Sequence, residues 1–151
     1  MKLAVLSDTH IHSFEHISPR ITAALPGVDL IVHAGDFISI DVYSSLCKMG
    51  DVKAVRGNMD DDELRKLLPQ TELFEVMGKK IGLIHGWGSQ WGLAEKIRSY
   101  FGDVELIIYG NTHVPHNEKI GDVHFFNPET AKESFGILEI ETEIKGRIII
   151  L

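Results

Sequence analysis

The chain has 151 residues, 44% of them apolar and 25% charged, so it is long enough to bury a core, and one domain spanning residues 1–151 is expected. Its net charge of −7, without any run rich in Lys and Arg, argues against nucleic-acid binding driven by phosphate neutralisation. The single cysteine, Cys47, excludes an internal disulfide and favours a reducing, cytoplasmic setting. No apolar run is long enough for a signal peptide or a membrane span.

Strand-like apolar runs alternate with helix-like segments over residues 1–110. Pro19 in the first turn and Pro26-Gly27 after the last turn are typical boundaries of a helix. In chain order, the patterns predict a strand at 3–6, a helix at 18–25, a strand at 29–34, a helix at 42–49, a strand at 52–55, a helix at 60–68, a hairpin of 72–77 with 80–84, a helix at 94–101 and a strand at 104–109.

The C-terminal part of the chain has a different pattern. Strands are predicted at 123–126, 135–141 and 147–151, joined by short turns with no helix between them. A parallel α/β half followed by an antiparallel half fits a sandwich of two sheets flanked by helices. The predicted fold class is therefore α/β, a four-layer α/β/β/α sandwich of two mixed sheets.

Polar residues with metal-binding side chains follow five of the predicted strands. Ligands bind at the carboxyl ends of strands in open α/β sheets, so these residues are expected to meet. A mixture of carboxylate, imidazole and amide oxygen suits Mn²⁺, Fe²⁺ or Zn²⁺. Each segment alone is typical of a turn or a helix cap, and the ordered set points to a metal site. The residues are Asp8 and His10, Asp36, Asn58 and Asp60, His85, and Asn111 and His113.

In order, the segments read Asp8-Thr9-His10, Gly35-Asp36, Gly57-Asn58-Met59-Asp60, His85-Gly86 and Gly110-Asn111-Thr112-His113. This series resembles the D-x-H, G-D, G-N-H-[D/E], H and G-H-x-H motifs of the calcineurin-like metallophosphoesterase superfamily. The chain is most similar to the compact bacterial and archaeal phosphodiesterase subgroup, whose fold the retromer subunit Vps29 shares.

The resemblance implies a role for each matching residue. The first metal ion would be held by Asp8, His10 and His113, and the second by Asn58 and His85. Asp36 would bridge both ions, and Asp36 and Asn58 would act in catalysis. Asn111 stands where the family has a second histidine ligand, so the second site is expected to be formed but weaker, or to bind its ion only when substrate is present. His116 is an alternative ligand at that site. The implied cofactors are two divalent ions, Mn²⁺ first, with Ni²⁺, Fe²⁺ or Zn²⁺ as alternatives.

Other positions depart from the family pattern or flank the motifs. Met59 replaces a histidine that can protonate the leaving group, which predicts a preference for leaving groups that depart unaided. Glu129 stands where relatives often carry glycine, and is expected to alter the site's mouth or the local turn. Asp60 is predicted to support a ligand histidine. Trp87 and Trp91 either wall a substrate pocket or pack within their loop.

The resemblance implies a phosphodiesterase in which two metal ions activate a bridging hydroxide that attacks phosphorus. Two alternatives stay open: a non-catalytic, Vps29-like interaction scaffold, and a phosphomonoesterase or nucleotidase on the same fold. The expected partner is a small phosphodiester or nucleotide-like substrate, with no membrane and with nucleic acid disfavoured. A homo-oligomer is left open by the apolar C-terminal strand ending at Leu151.

Overall fold

Ten strands and four α-helices make up the fold in the computed structural model, which describes residues 1–151. Two single turns of 3₁₀ helix add to these at Phe14–His16 and Leu25–Gly27. The elements run β1 Lys2–Leu6, α1 Pro19–Ala24, β2 Leu30–His33, α2 Ile40–Met49, β3 Val52–Ala54, α3 Asp62–Leu67, β4 Thr71–Val76, β5 Lys79–Ile84, α4 Leu93–Arg98, β6 Leu106–Tyr109, β7 His116–Ile120, β8 Val123–Asn127, β9 Ser134–Ile140 and β10 Ile144–Ile150.

The helices are short, and two of them, α1 and α3, begin at residues whose side chains cap them. Ser18 accepts a hydrogen bond from the backbone N–H of Arg20 at the start of α1, where Pro19 takes the first helical position. Asp61 accepts a hydrogen bond from the backbone N–H of Leu64 at the start of α3. The longest helix, α2, has ten residues, and none of the helices combines the length and apolarity needed to cross a bilayer.

The strands form two mixed five-stranded sheets. The first sheet has the order β10-β9-β1-β2-β3, in which β1, β2 and β3 run parallel and β9 and β10 run antiparallel. The second sheet has the order β4-β5-β6-β8-β7, in which β5, β6 and β8 run parallel between two antiparallel edge strands. The carboxyl ends of six parallel strands therefore meet at one end of the sandwich.

Three apolar clusters define four layers. One lies between the sheets and includes Val5, Val32 and Ile108. A second packs α1, α2 and α3 on the outer face of the first sheet, and a third packs α4 on the outer face of the second. The predicted four-layer α/β/β/α sandwich of two mixed sheets is confirmed.

Two features of the fold differ from the expectation. The C-terminal strands do not form an antiparallel half of their own: β7 and β8 join the second sheet, and β9 and β10 join the first. Strand β7, at His116–Ile120, was missed because its sequence HNEKI is polar and mostly exposed. An edge strand with little burial on either face lacks the alternation by which strands are predicted.

Candidate metal centre

Five of the predicted ligand residues adopt a left-handed backbone conformation, which non-glycine residues rarely use. The φ angles are 51° for Asp8, 47° for His10, 61° for Asp36, 68° for Asn111 and 55° for His113. Each such residue costs on the order of 1 kcal/mol and persists only where the surrounding structure imposes it. Strain concentrated in the loops after β1, β2 and β6 marks this end of the sandwich as a functional site.

Asp8 is fully buried and divides its two oxygens between the protein scaffold and the site. Its Oδ2 accepts hydrogen bonds from the Ser7 hydroxyl at 2.5 Å and from the backbone N–H of Asn111 at 3.1 Å. Its Oδ1 lies 3.5 Å from His10 Nε2 and 3.3 Å from His113 Nε2. Asp8, His10 and His113 thus form a three-ligand cluster.

Asp36 is arranged in the same way. Its Oδ1 accepts a hydrogen bond of 2.8 Å from the backbone N–H of Met59. Its Oδ2 lies 3.2 Å from His85 Nε2 and 3.6 Å from His10 Nε2. This one oxygen therefore faces a histidine from each half of the site, which is the placement that a bridging carboxylate needs.

His85 completes a second cluster with Asp8 and Asp36. Its Nδ1 lies 2.7 Å from the carbonyl oxygen of Ala34, so Nδ1 carries the proton and donates it there. The Nε2 atom then faces Asp36, and Asp8 at 3.8 Å, and in the neutral ring it offers a lone pair to a cation held between these carboxylates. A histidine oriented through its other nitrogen is typical of metal ligands.

The side-chain atoms of the site that lack hydrogen-bond partners are suited to bind a divalent cation. Three buried side-chain atoms have no hydrogen-bond partner: Asp8 Oδ1, His10 Nε2 and His85 Nε2. Buried polar atoms are almost always satisfied, and these three converge on the same space. Two carboxylates and three imidazoles form a donor set suited to Mn²⁺, Fe²⁺ or Zn²⁺, so the residues fit the metal ions that the sequence implies.

Asp36 and His85 each stabilise the charged form of the other. Burial disfavours the ionised form of Asp36, but the His85 ring holds the pKa of this carboxyl below its ordinary value. Burial also disfavours the charged form of His85, but Asp36 and Asp8 raise the pKa of the ring above its ordinary value. The carboxylates thus create a negative centre that attracts cations.

The two asparagines of the predicted set lie at the edge of the centre. Asn58 is exposed beside His85 in a cleft. The Asn111 side chain donates a hydrogen bond of 2.9 Å to the carbonyl of Gly88, which ties the loop after β5 to the end of β6. His116 is no substitute ligand, because Tyr109 Oη lies 2.6 Å from its Nδ1 and Glu118 lies 3.0 Å from its Nε2.

The prediction that Asp60 supports a ligand histidine is wrong. Its buried carboxylate accepts three backbone hydrogen bonds, from Gly57 at 2.7 Å, Ile38 at 2.9 Å and Asp36 at 3.2 Å. Burial raises the pKa of Asp60 above its ordinary value. Asp60 joins the loops after β2 and β3, and so fixes the backbone that carries Asp36.

Sequence reasoning missed two residues that hold the loops carrying Asp8 and Asn111. The Thr130 hydroxyl donates a 2.7 Å hydrogen bond to the carbonyl of Asp8, and Asn127 donates to the carbonyl of Gly110 at 3.2 Å. The only signal in the sequence is the turn-like segment at 127–130, which predicts a local turn and not a contact with these loops. Glu129 lies in that turn at φ 72°, a backbone conformation that favours glycine.

The cleft beside Asn58 and His85 has a volume of about 540 Å³. Trp87 lines it and lies 5.2 Å from the Tyr100 ring between centroids, whereas Trp91 is 78% exposed and lies outside. Arg56 also lines the cleft. Its guanidinium donates hydrogen bonds to the backbone carbonyls of Arg65 and Leu68.

Comparison with known proteins places the chain in a family. A family model described as the calcineurin-like phosphoesterase superfamily domain matches residues 1–143. A probable metallophosphoesterase of Methanothermobacter thermautotrophicus is 35% identical over 132 residues, which cover 85% of this chain and 76% of that protein. The chain belongs to the calcineurin-like phosphoesterase superfamily, as its motif series indicated.

Solved structures agree with this assignment. A novel archaeal phosphodiesterase superposes with a TM-score of 0.78 at 27% identity, covering 100% of both chains. Vps29 of Entamoeba histolytica in complex with Zn²⁺ gives a TM-score of 0.76 at 24% identity, covering 99% of both chains. The likeness to Vps29 is one of fold alone.

Proposed function

We propose that the protein is a metal-dependent phosphodiesterase with a dinuclear centre. The observation that carries the proposal is the pair of three-ligand clusters that share Asp8 and leave three buried ligand atoms without partners. The family and the likeness to an archaeal phosphodiesterase support a phosphoester substrate.

Each cluster would hold one ion. Asp8, His10 and His113 would hold the first, and Asp36 and His85 would hold the second together with Asn58. When bound, divalent ions would supply a hydroxide nucleophile at neutral pH by lowering the pKa of bound water, and they would offset charge on the phosphoryl oxygens. Mn²⁺ is the ion we expect, with Ni²⁺, Fe²⁺ or Zn²⁺ as alternatives.

The protein's own groups fix and polarise the site. Asp36 is held through Oδ1 by the Met59 N–H, so that Oδ2 keeps a constant position between the two halves. Asn58, exposed in the cleft, would donate a hydrogen bond to a phosphoryl oxygen. Asn111 is a neutral and weaker ligand than imidazole, and it already donates to Gly88, so we propose a second site of reduced affinity.

Proton transfer to the leaving group has no evident donor at position 59. Met59 is 57% exposed beside Asn58, and a thioether carries no proton. The enzyme would therefore favour esters whose leaving group departs as a stable anion. We propose a small phosphodiester or nucleotide-like substrate and a cytoplasmic, reducing location, consistent with the free Cys47.

The test is hydrolysis of bis(p-nitrophenyl) phosphate by metal-stripped protein titrated with Mn²⁺. The native protein should turn over only with metal, and Asp36→Ala should abolish turnover, because it removes the oxygen facing both halves of the site. Glu105→Ala is a matched control, since this carboxylate contacts only a backbone N–H far from the centre. Inactivity of the native protein with every divalent ion would refute the proposal.

The variant Asn111→His tests the weakened ligand. Imidazole in place of the amide should lower the Mn²⁺ concentration for half-maximal activity by roughly tenfold, the scale of ligand-shell effects. A native protein without activity that gains it in Asn111→His would favour the interaction scaffold as the present role. Faster turnover of p-nitrophenyl phosphate than of the diester would favour the monoesterase.

A further inference from the structure

The cleft beside the candidate metal centre is positively charged, although the protein is acidic overall. Asn58 and His85 line one part of it, so the cleft is continuous with the proposed second metal site. Arg56 and Arg65 line it as well, and its lining contains no acidic residue. In a chain with a net charge of −7, two arginines facing one cavity form a local site for anions.

Neither arginine is neutralised by the protein. Arg56 Nη1 donates hydrogen bonds to the carbonyls of Arg65 at 2.9 Å and Leu68 at 3.4 Å, which fix the guanidinium without cancelling its charge. Arg65 lies in the last turn of α3 with an exposed side chain. The ion pairs formed by Lys and Arg side chains in this protein are Lys53 with Glu72 and Arg98 with Asp122. Both guanidinium groups thus keep free N–H donors for a ligand.

An aromatic pair lines the same cleft. The Trp87 and Tyr100 rings lie 5.2 Å apart with an interplanar angle of 53°, and they remain 39% and 56% exposed. Exposed aromatic side chains beside a cationic surface are the elements that proteins use to stack bases and hold phosphates. A plain phosphodiester needs neither element.

We propose that this cleft is a specificity subsite that binds a nucleotide arm of the substrate, with the base against Trp87 and Tyr100 and a second, non-scissile phosphate on Arg56 and Arg65. The inference rests on the proposed phosphodiesterase function and names its substrate class: a phosphodiester of a nucleotide that carries a further phosphate. Arg65 is the adaptable contact, and Arg56 is the fixed one.

A series of three substrates with the same leaving group isolates each contribution. Methyl p-nitrophenyl phosphate has neither a nucleoside nor a second aromatic ring, the p-nitrophenyl ester of thymidine 5′-phosphate adds the nucleoside, and the 5′-p-nitrophenyl ester of thymidine 3′,5′-bisphosphate adds the second phosphate. We expect kcat/KM of the Mn²⁺-loaded protein to rise about fivefold or more with the nucleoside, from stacking, and about tenfold with the 3′-phosphate, from charge-assisted hydrogen bonds.

Two variants and their matched controls assign these gains to residues. Arg65→Gln should remove the gain from the 3′-phosphate, whereas Lys66→Gln, which removes the same charge from the same helix outside the cleft, should keep it. Trp87→Ala should remove the gain from the nucleoside, whereas Trp91→Ala, outside the cleft, should keep it. Equal substrate ratios in Arg65→Gln and Lys66→Gln would overturn the proposal.

Calorimetric titration of the protein in EDTA with thymidine 3′,5′-bisphosphate gives a readout independent of turnover. We expect binding by the native protein and by Lys66→Gln, and binding about tenfold weaker by Arg65→Gln. If the bisphosphate binds in this way but the protein hydrolyses no ester, the proposed function is refuted and the subsite is supported. If the protein hydrolyses all three esters with equal kcat/KM and does not bind the bisphosphate in EDTA, the proposed function is supported and the subsite is refuted.

Discussion

Gly110→Ala should damage the metal centre by pushing on the side chain that holds Asp8. A Cβ atom at Gly110 would lie 2.0 Å from Ser7 Oγ and 3.0 Å from Asp8 Oδ2. The backbone of Gly110 does not adopt a positive φ, so alanine is excluded by crowding rather than by conformation. Ser7 is fully buried and donates its hydroxyl to Asp8, so a displaced Ser7 moves the carboxylate shared by both clusters.

The expected loss follows from overpacking a buried site, which costs about 1–3 kcal/mol. For a chain of 151 residues, that loss lowers the melting temperature by roughly 2–4 °C per kcal/mol. Gly102→Ala is the matched control, because its Cβ would meet nothing within 4 Å and its φ is not positive. This control should be neutral or nearly so.

A double-mutant cycle with Ser7→Ala isolates the contact. Ser7→Ala alone should cost about 1 kcal/mol for the lost hydrogen bond, and in combination it should relieve the crowding in Gly110→Ala by at least ~0.5 kcal/mol. Urea unfolding in EDTA measures stability, and calorimetric titration with Mn²⁺ measures affinity. Two results would refute this account of how Asp8 is held. One is strict additivity of the stability losses in the double variant, and the other is a Gly110→Ala protein that matches Gly102→Ala in stability and in affinity for Mn²⁺.

Three further predictions concern the support of the site. Asp60→Asn should destabilise the protein in urea by about 2–3 kcal/mol, since an amide cannot accept all three backbone hydrogen bonds, and a loss below ~0.5 kcal/mol would contradict this role. Glu129→Val should be less stable than Glu129→Gly by about 1–2 kcal/mol, because a β-branched side chain conflicts with a φ of 72° at this position. Thermal unfolding measures the difference, and equal melting temperatures of the two variants would argue against backbone strain at Glu129. Burial holds the pKa of His33 well below its ordinary value, so this imidazole binds a proton more readily in the unfolded chain than in the folded protein. The stability advantage of native protein over His33→Gln should therefore shrink as pH falls through about 6.5, and a constant difference would contradict this.

The layers of the fold were predictable from local patterns, and the order of strands within the sheets was not. Runs such as Leu30–His33 and Leu106–Tyr109 are continuously apolar because both of their faces are buried, and this pattern indicates central strands. The pairing of β9 with β1 joins residues such as Leu3 and Leu138, which are far apart in sequence. No local signal specifies such a contact.

The ligand positions were predictable because parallel strands bring their carboxyl ends together. The roles of the supporting residues were not, because they depend on which backbone groups face inward. Asp60 illustrates the limit: its place in a motif next to the ligands suggested a histidine partner, but its oxygens accept N–H groups from two loops. Ser7 and Thr130 also act through contacts that have no spacing rule.

The most direct test of the central claim is anomalous diffraction at the manganese edge from crystals of the native protein grown with Mn²⁺. The account predicts two peaks, one among Asp8, His10 and His113 and one beside Asp36 and His85, the second weaker because Asn111 is a poor ligand. In Asp36→Ala, the second peak should disappear. Peaks absent from both clusters in the native protein, or a single peak elsewhere on the surface, would contradict the assignment of a two-metal centre.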